Sequence, residues 1–581
     1  MNFSKKVNYT LLAFLVLLNI IIRYPTTSHK MGVDSFFIHG LANSISANGY
    51  AKWAVNPLSL FGLYPYSYPT AVPYLLSGVS QCMGLNMEWT IFLVAIFIGI
   101  FGMFSAYLMA MEVKNDSLFA FLVAFVFSTS PIFLHLTIWT TSARPLLIAL
   151  LPLLIWSLLK YYHKKDKKYM FFSIVFLIIL ATVHRTAWLI IPIFLAYFTA
   201  MSIQRIKGKL QISKKMLTSL LATLLLITLI FCIIILTSNI LPLILLPFVA
   251  YFLNSFLQKI DKKIRTPVII SAVLALLFVC AFIVQFLQIE FYKGIWYNYQ
   301  TGYFFKGTDL HILLLNMICN YGGHTGILIV FGVVGIVILL FKPEKKFNDW
   351  FILLSMLFLT PLVALGVYLS LFLLPFFSIL ISIGLRKVIT ISWVKKYAFP
   401  AIIGCLLISL SFSGFMINHW RSSEIGSTNE TWLMKDETYS ASLFLKEYGY
   451  GAFISDDGII GFRISASSSG VPLFSGSYAW PFAYGFTEEA DIIGFLPIIP
   501  TSFDYIYEIN DTVGRDLYRL LGVDCDNTTA KEILSKYTIC YYVENNHVHS
   551  QDIFFKSVRE KRYKIYDDGV ESIWYLGCGI T

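Results

Sequence analysis

An aspartate, Asp34, stands in the run Gly32-Val33-Asp34-Ser35-Phe36-Phe37-Ile38-His39-Gly40, about ten residues past a first apolar stretch. A carboxylate at that distance can sit at a membrane surface and act as general base toward a hydroxyl or amine. An aspartate before Ser-Phe-Phe-Ile-His also caps a helix well, and both readings stand. Arg144 closes an acid-free segment, His135 to Arg144, and opens the next apolar stretch. A guanidinium there suits a phosphate or pyrophosphate by bidentate pairing, or anchors at the interface by snorkelling to headgroups. His184-Arg185 is an adjacent ionisable pair between two short apolar runs. It needs a polar cavity or the outer interface, since mid-bilayer placement is costly; Trp188 beside it reads as an aromatic-belt residue. The segment 289–322 mixes Glu290, Asp309, lysines and aromatics as a carbohydrate site would, although Asp309 also reads as a cap of 310–319. Its acids, with His39 and His324, complete the candidate substrate-contacting set. Asp456-Asp457 before Gly458 reads as a turn more readily than as a cation site. The eight cysteines form no CxxC, and no His/Cys cluster suggests a structural metal.

Something must hold these residues at a membrane. Of 581 residues, 57% are hydrophobic and 13% charged, with a mean hydropathy of +0.71. A soluble domain carries about 25% charged residues. A cytosolic enzyme, a disordered protein and a disulfide scaffold are excluded on composition. The net charge of +11 divides unequally: residues 1–420 hold 31 Lys and Arg against 10 Asp and Glu, and residues 421–581 hold 13 against 23.

Spans of roughly 20 apolar residues cross a bilayer core of about 30 Å. Thirteen are expected: 8–23, 88–111, 117–134, 145–160, 169–183, 186–202, 216–237, 239–257, 267–289, 323–341, 350–366, 368–385 and 398–417. With a cytoplasmic N-terminus, 24 of those 31 basic residues fall on the cytoplasmic side, including Lys164-Lys165, Lys262-Lys263 and Lys395-Lys396. The other side keeps Arg23, Lys30, Lys52, Arg144, Arg185, Lys293 and Lys306. The positive charge is thus a topology signal and leaves no case for nucleic acid. No small-residue cleavage site follows the first span, which reads as a retained helix.

The chain therefore reads as a polytopic α-helical membrane protein of the plasma membrane. A transmembrane domain (1–420) carries a long first outer loop (24–87), and an extracytoplasmic α/β domain (421–581) follows. That domain shows an amphipathic helix at 437–448, a strand at 452–455, a second helix after Gly458, a β-like run at 537–543 and a terminal strand pair around Asp567-Asp568-Gly569. Sequons at Asn429, Asn510 and Asn527 lie in it, and Cys525, Cys540 and Cys578 allow one disulfide.

This organisation resembles the GT-C superfamily of membrane glycosyltransferases, and most of all the catalytic subunit of oligosaccharyltransferase. Gly-Val-Asp34-Ser-Phe-Phe-Ile-His39 is similar to that family's first acidic motif. Ala181-Thr-Val-His184-Arg185-Thr-Ala-Trp-Leu-Ile-Ile-Pro192 is similar to the polar turn of the lipid A aminoarabinose transferase. The resemblance implies inverting transfer of a sugar from a polyprenyl- or dolichyl-phosphate donor to a lipid, glycan or protein acceptor on the outer face. It implies Asp34 as general base, with Arg144, His184 and Arg185 on the lipid phosphate. It requires no soluble cofactor and leaves room for a divalent cation, Mg or Mn. Two departures stand out. Loop two holds no acidic motif, and the outer domain offers Tyr478-Ala-Trp480-Pro-Phe-Ala-Tyr484-Gly485 where the family has Trp-Trp-Asp-Tyr-Gly. A member that is metal-free or transfers monosaccharides fits these better. The alternative reading is a non-catalytic transporter, flippase or export component for lipid-linked sugars; a third is the same fold without activity.

Overall fold

The computed structural model describes residues 5–209, 321–359, 367–389, 397–425, 433–487 and 512–577, apart from short interruptions at 56, 63–67, 477–478 and 548–549. The expected spans 216–237, 239–257 and 267–289 lie outside the described residues. So do Glu290, Asp309, the sequons at Asn429 and Asn510, and Cys578.

Among the described residues, five helices are long and apolar enough to cross a membrane: Met87–Val113, Ala143–Lys164, Arg185–Gln204, Ser370–Ile389 and Ala398–Asn418. Shorter apolar helices occupy Lys6–Ile21, Ser117–Thr129, Ile329–Phe341 and Phe347–Leu359. Their starts follow from side chains that accept the otherwise orphaned first-turn N–H groups. Asn86 accepts from Trp89 N at 2.9 Å, Asp116 from Phe119 N at 2.9 Å, and Asp166 from Lys168 N at 3.0 Å.

One expected span differs in detail, and one expected break is seen. The stretch 117–134 is not one helix: it stops at Thr129, and a short helix Pro131–His135 follows. Proline fixes its own φ and lacks an N–H, so it starts a helix rather than continuing one. The stretch 169–202 divides at His184, which is extended (φ −151°, ψ 136°), and a 3-10 turn Arg185–Ile190 leads into the helix Ile191–Lys209.

The membrane helices share one apolar core that includes Phe125, Phe133, Leu147, Leu154 and Phe372. Arg23 is fully buried beside it. An unpartnered buried guanidinium would be very costly. Here Nε donates to Thr137 Oγ1 at 2.9 Å, Nη1 to Asn19 Oδ1 at 2.6 Å and Nη2 to the Ser128 carbonyl at 3.0 Å. Gly99 leaves the space, since a Cβ there would collide with the guanidinium. The end of the first helix is thereby fastened to the segment that leads to Arg144.

The C-terminal part carries a four-stranded sheet in the order β1-β2-β4-β3. These are β1 Ala452–Ser455, β2 Ile539–Asn545, β3 Tyr563–Asp567 and β4 Glu571–Tyr575. β1 runs parallel to β2, while β4 is antiparallel to both β2 and β3. Helices Asp436–Tyr448 and Gly458–Ser467 flank β1 in sequence. Asp457 Oδ1 caps the second of these by accepting from Ile459 N and Ile460 N. Asp456 Oδ1 accepts from Asn545 N and its Oδ2 from the Tyr542 hydroxyl. Both acids thus serve the turn. Cys540 is disulfide-bonded and Cys525 is a buried free thiol.

Candidate functional site

The first loop supplies the helix Val33–Asn48. Its N-cap position is Gly32, at φ +85°, where a side chain would be strained. Asp34 therefore lies inside the first turn and is not the cap. Its Oδ2 lies 3.1 Å from Arg144 Nη2; the Asp34 side chain is 48% exposed and that of Arg144 28%. The pair faces water, so it can be competed for.

Backbone ties between the two loops set this distance. Met31 N donates to the Trp139 carbonyl at 3.0 Å. Ser35 Oγ accepts from Thr141 N at 2.8 Å and lies 3.2 Å from the Thr141 carbonyl. Glu88, at the start of Met87–Val113, accepts from Lys30 N at 2.9 Å, and the Glu88 carbonyl accepts from Trp139 Nε1 at 3.2 Å. Trp139 itself has φ +45°, a conformation that costs on the order of 1–3 kcal/mol and clusters at functional sites. The helix that carries Arg144 begins at Ala143, after Ser142 as cap.

His184 is buried, and its Nδ1 accepts from Thr186 N at 3.0 Å with the Thr186 hydroxyl at 2.7 Å. It lies within the fields of Arg144 and Arg185. Arg185 packs against the loop-one turn: a Cβ on Gly62 would lie 3.6 Å from Arg185 Cβ. Asp34, Arg144, His184 and Arg185 are thereby connected through loops one and two and the 184–190 turn. Two other candidates point elsewhere. His39 is buried on the loop-one helix with Nδ1 unpartnered. His324 is half-buried and makes ring contact with Trp420, which His135 also contacts.

Sequence reasoning missed a second polar cluster where loop one meets the sheet domain. Lys30 is fully buried, its Nζ 3.9 Å from the Phe36 ring centre and without a hydrogen-bond partner. Burial lowers its pKa to about 7, with Glu88 opposing and Arg463 adding to the shift. The Arg463 guanidinium sits 5.6 Å from the same ring. His29 lies 3.4 Å from Glu88 and 3.3 Å from Asp436, and stacks on Tyr439 at 4.1 Å. Little in the sequence signals it: Lys30 is one of three charged residues in 24–87, and the cluster's sheet-domain members Asp436, Tyr439 and Arg463 are more than 400 residues away. Trp480, from the segment that stands in place of the family's Trp-Trp-Asp-Tyr-Gly, is fully buried against Gly40 and Phe37. It holds loop one to the sheet domain, as do Asn43 donating to the Ala466 carbonyl and Ser44 to the Ala483 carbonyl.

The described donor set does not fit a divalent cation beside Asp34. Among the described residues, the one group of three close ligand atoms is Asp524, Cys525 and Asp526 in the sheet domain, where Lys561 and Arg562 already pair the two carboxylates.

No protein-family model and no curated protein matches the sequence. Solved structures do. The Archaeoglobus fulgidus oligosaccharyltransferase tethered to an NVT-containing acceptor peptide superposes with a TM-score of 0.56 at 13% identity, over 94% of this chain and 69% of that one. The same protein, AglB, in complex with an inhibitory peptide and a dolichol-phosphate gives 0.53 at 14%, over 93% and 69%. ArnT from Cupriavidus metallidurans bound to undecaprenyl phosphate overlaps more loosely, at 0.42 and 10% over 99% of both chains, and nothing below is built on it. At these identities the similarity is one of fold: this chain shares the fold of the archaeal oligosaccharyltransferase.

Proposed function

We propose that this chain is a membrane glycosyltransferase that moves a sugar from a polyprenyl- or dolichyl-phosphate donor to an acceptor on the outer face of the plasma membrane. The observation that carries the reading is the solvent-facing Asp34–Arg144 pair at 3.1 Å, held by the ties between loops one and two. A general base must be reachable and must meet the leaving group's binder at one site. The shared fold with AglB, which was solved with a dolichol-phosphate and with an acceptor peptide, supports a lipid-linked donor.

In the mechanism we infer, the donor's phosphate competes with Asp34 for Arg144. Bidentate phosphate pairing is stronger than a half-exposed ion pair, so donor binding frees the carboxylate. Asp34 then takes the proton of the acceptor hydroxyl or amine as it attacks the anomeric carbon, with inversion. The bond to the phosphate breaks, and the charge left on the lipid phosphate is met by Arg144 and Arg185. His184 positions the 184–190 turn. Among the described residues no close group of three ligand atoms includes Asp34, and no step is assigned to a metal. AglB has also been solved with Zn and sulfate, so Mg, Mn and Zn belong in the assay.

The topology that serves this chemistry has thirteen spans, a cytoplasmic N-terminus and residues 421–581 outside. Purified protein in lipid nanodiscs, given radiolabelled polyprenyl-phosphate sugars and membrane-extracted acceptors, is expected to release polyprenyl phosphate with transfer of label. Unidirectional movement of intact lipid-linked sugar between leaflets, without release, would establish the transporter instead.

A further inference from the structure

We propose that the cavity at the carboxyl ends of β1 and β2 is a saccharide subsite that holds a pair of hydroxyls of the acceptor. The proposal rests on the glycosyl-transfer reading above. Neither loop one nor the Asp34 pair lines this cavity.

The cavity measures about 30 Å³ and opens to the surface between the helices Asp436–Tyr448 and Gly458–Ser467 and the strands β2 and β4. Thr438, Asp457, Arg463, Asn545, His547 and Glu571 supply its polar wall. It lies where β1 gives way to a helix and where the parallel strand β2 ends, the place at which open α/β sheets bind ligands. Glu571 is fully buried. Its Oε1 accepts from the Thr438 hydroxyl at 2.5 Å, and its Oε2 has no partner. A buried polar atom left open in this way asks for a ligand group or a water.

The chemistry of the wall selects the ligand. Arg463 and His547 carry N–H donors and Glu571 and Thr438 oxygens that accept, while Asn545 Nδ2 donates to Asp457 Oδ2 at 3.1 Å and keeps a second N–H. Phosphate would meet two carboxyl groups. A bare metal ion would meet Arg463 and Lys435, and these carboxylates do not form one of the close three-ligand groups. A neutral diol, which donates and accepts at each oxygen, matches the mixture. The volume admits one or two hydroxyls. The sugar ring then lies at the mouth, where Ile459, Ile460 and Val570 can take its CH face. Burial pushes the Glu571 carboxyl up to about 7, so near neutrality it can donate as well as accept.

The position also suits the proposed reaction. Arg463 reaches from the cavity wall to within 5.6 Å of the Phe36 ring, two residues beyond Asp34. Arg463 thereby joins the cavity wall to the helix that carries the proposed base.

The test is equilibrium binding to the full chain in nanodiscs by saturation-transfer NMR. The probes are methyl glycosides of glucose, mannose and galactose, and N-acetylglucosamine. At least one is expected to bind saturably. The variants Glu571→Leu and His547→Ala, the second at an exposed turn position, are each expected to weaken that probe at least tenfold. Saturable binding by none of the probes, or unchanged affinity in His547→Ala, overturns the proposal. Asp34→Asn is expected to bind the probe as the wild type does. Absence of sugar transfer by the wild-type chain, with probe binding intact, would therefore count against the proposed function and not against this site.

Discussion

Asp34 and Glu571 are both carboxyl groups with an arginine nearby, and their surroundings assign them opposite work. Asp34 is half exposed at a junction of two loops, and its partner is a single, competable guanidinium. Glu571 is sealed in the sheet domain, bonded on one oxygen to a threonine hydroxyl and open on the other. The first arrangement keeps a charge ready to be uncovered. The second favours an uncharged acid that binds neutral oxygens. Residue type alone does not separate the two; exposure and partner identity do.

The sharpest way to break this contrast is at Arg144. If a phosphate draws the guanidinium from Asp34, Arg144→Ala should lower kcat/KM by on the order of 10²–10³, about 3–4 kcal/mol of transition-state stabilisation. Arg144→Lys should recover less than a tenth of that, since a point charge lacks the bidentate fork. Steady-state transfer against donor concentration reads both, and a lysine variant that matches the wild type would remove the phosphate clamp.

The Glu571 side makes a pH prediction. Its folded-state pKa is raised to about 7 by burial, from an ordinary 4.5. A raised acid favours the fold while protonated, so this contribution is fully present below about pH 4.5 and lost as pH rises through about 7. The span corresponds to about 3 kcal/mol at most. Hydrogen-exchange protection of β4 should therefore fall from pH 5 to 8 in the wild type relative to Glu571→Gln. Parallel profiles for the two proteins would contradict the buried-acid account.

A smaller effect is expected at Gly32. Alanine at φ +85° should cost about 1 kcal/mol. It should lower the thermal midpoint slightly and reduce kcat several-fold by loosening the first turn around Asp34. An unchanged kcat would mean that the turn does not set the Asp34–Arg144 distance.

Much of the frame was legible in the sequence. The helix starts at Met87 and Ser117 fall at the starts of the expected apolar runs 88–111 and 117–134. The break at His184-Arg185 is visible because two ionisable groups cannot lie in hydrocarbon. Strand β1 and the strand pair around Gly569 show the same local logic. Asp34, Arg144 and the 184–185 pair were legible as candidates. Their meeting was not, because it depends on loop ties such as Met31 to Trp139 and Ser35 to Thr141, which carry no periodic signal. Pro131 was read through because an apolar run hides a helix restart. Lys30, Arg463 and Glu571 were missed for a shared reason: each looks like an ordinary surface charge until distant segments bury it.

The most direct measurement is single-turnover transfer by Asp34→Asn at saturating lipid-linked donor. Asparagine keeps the shape and cannot take a proton. The account predicts donor binding within a few-fold of wild type and a transfer rate lower by on the order of 10²–10⁴, the range of a lost general base. A variant that transfers sugar at the wild-type rate would remove Asp34 from the chemistry and the central claim with it.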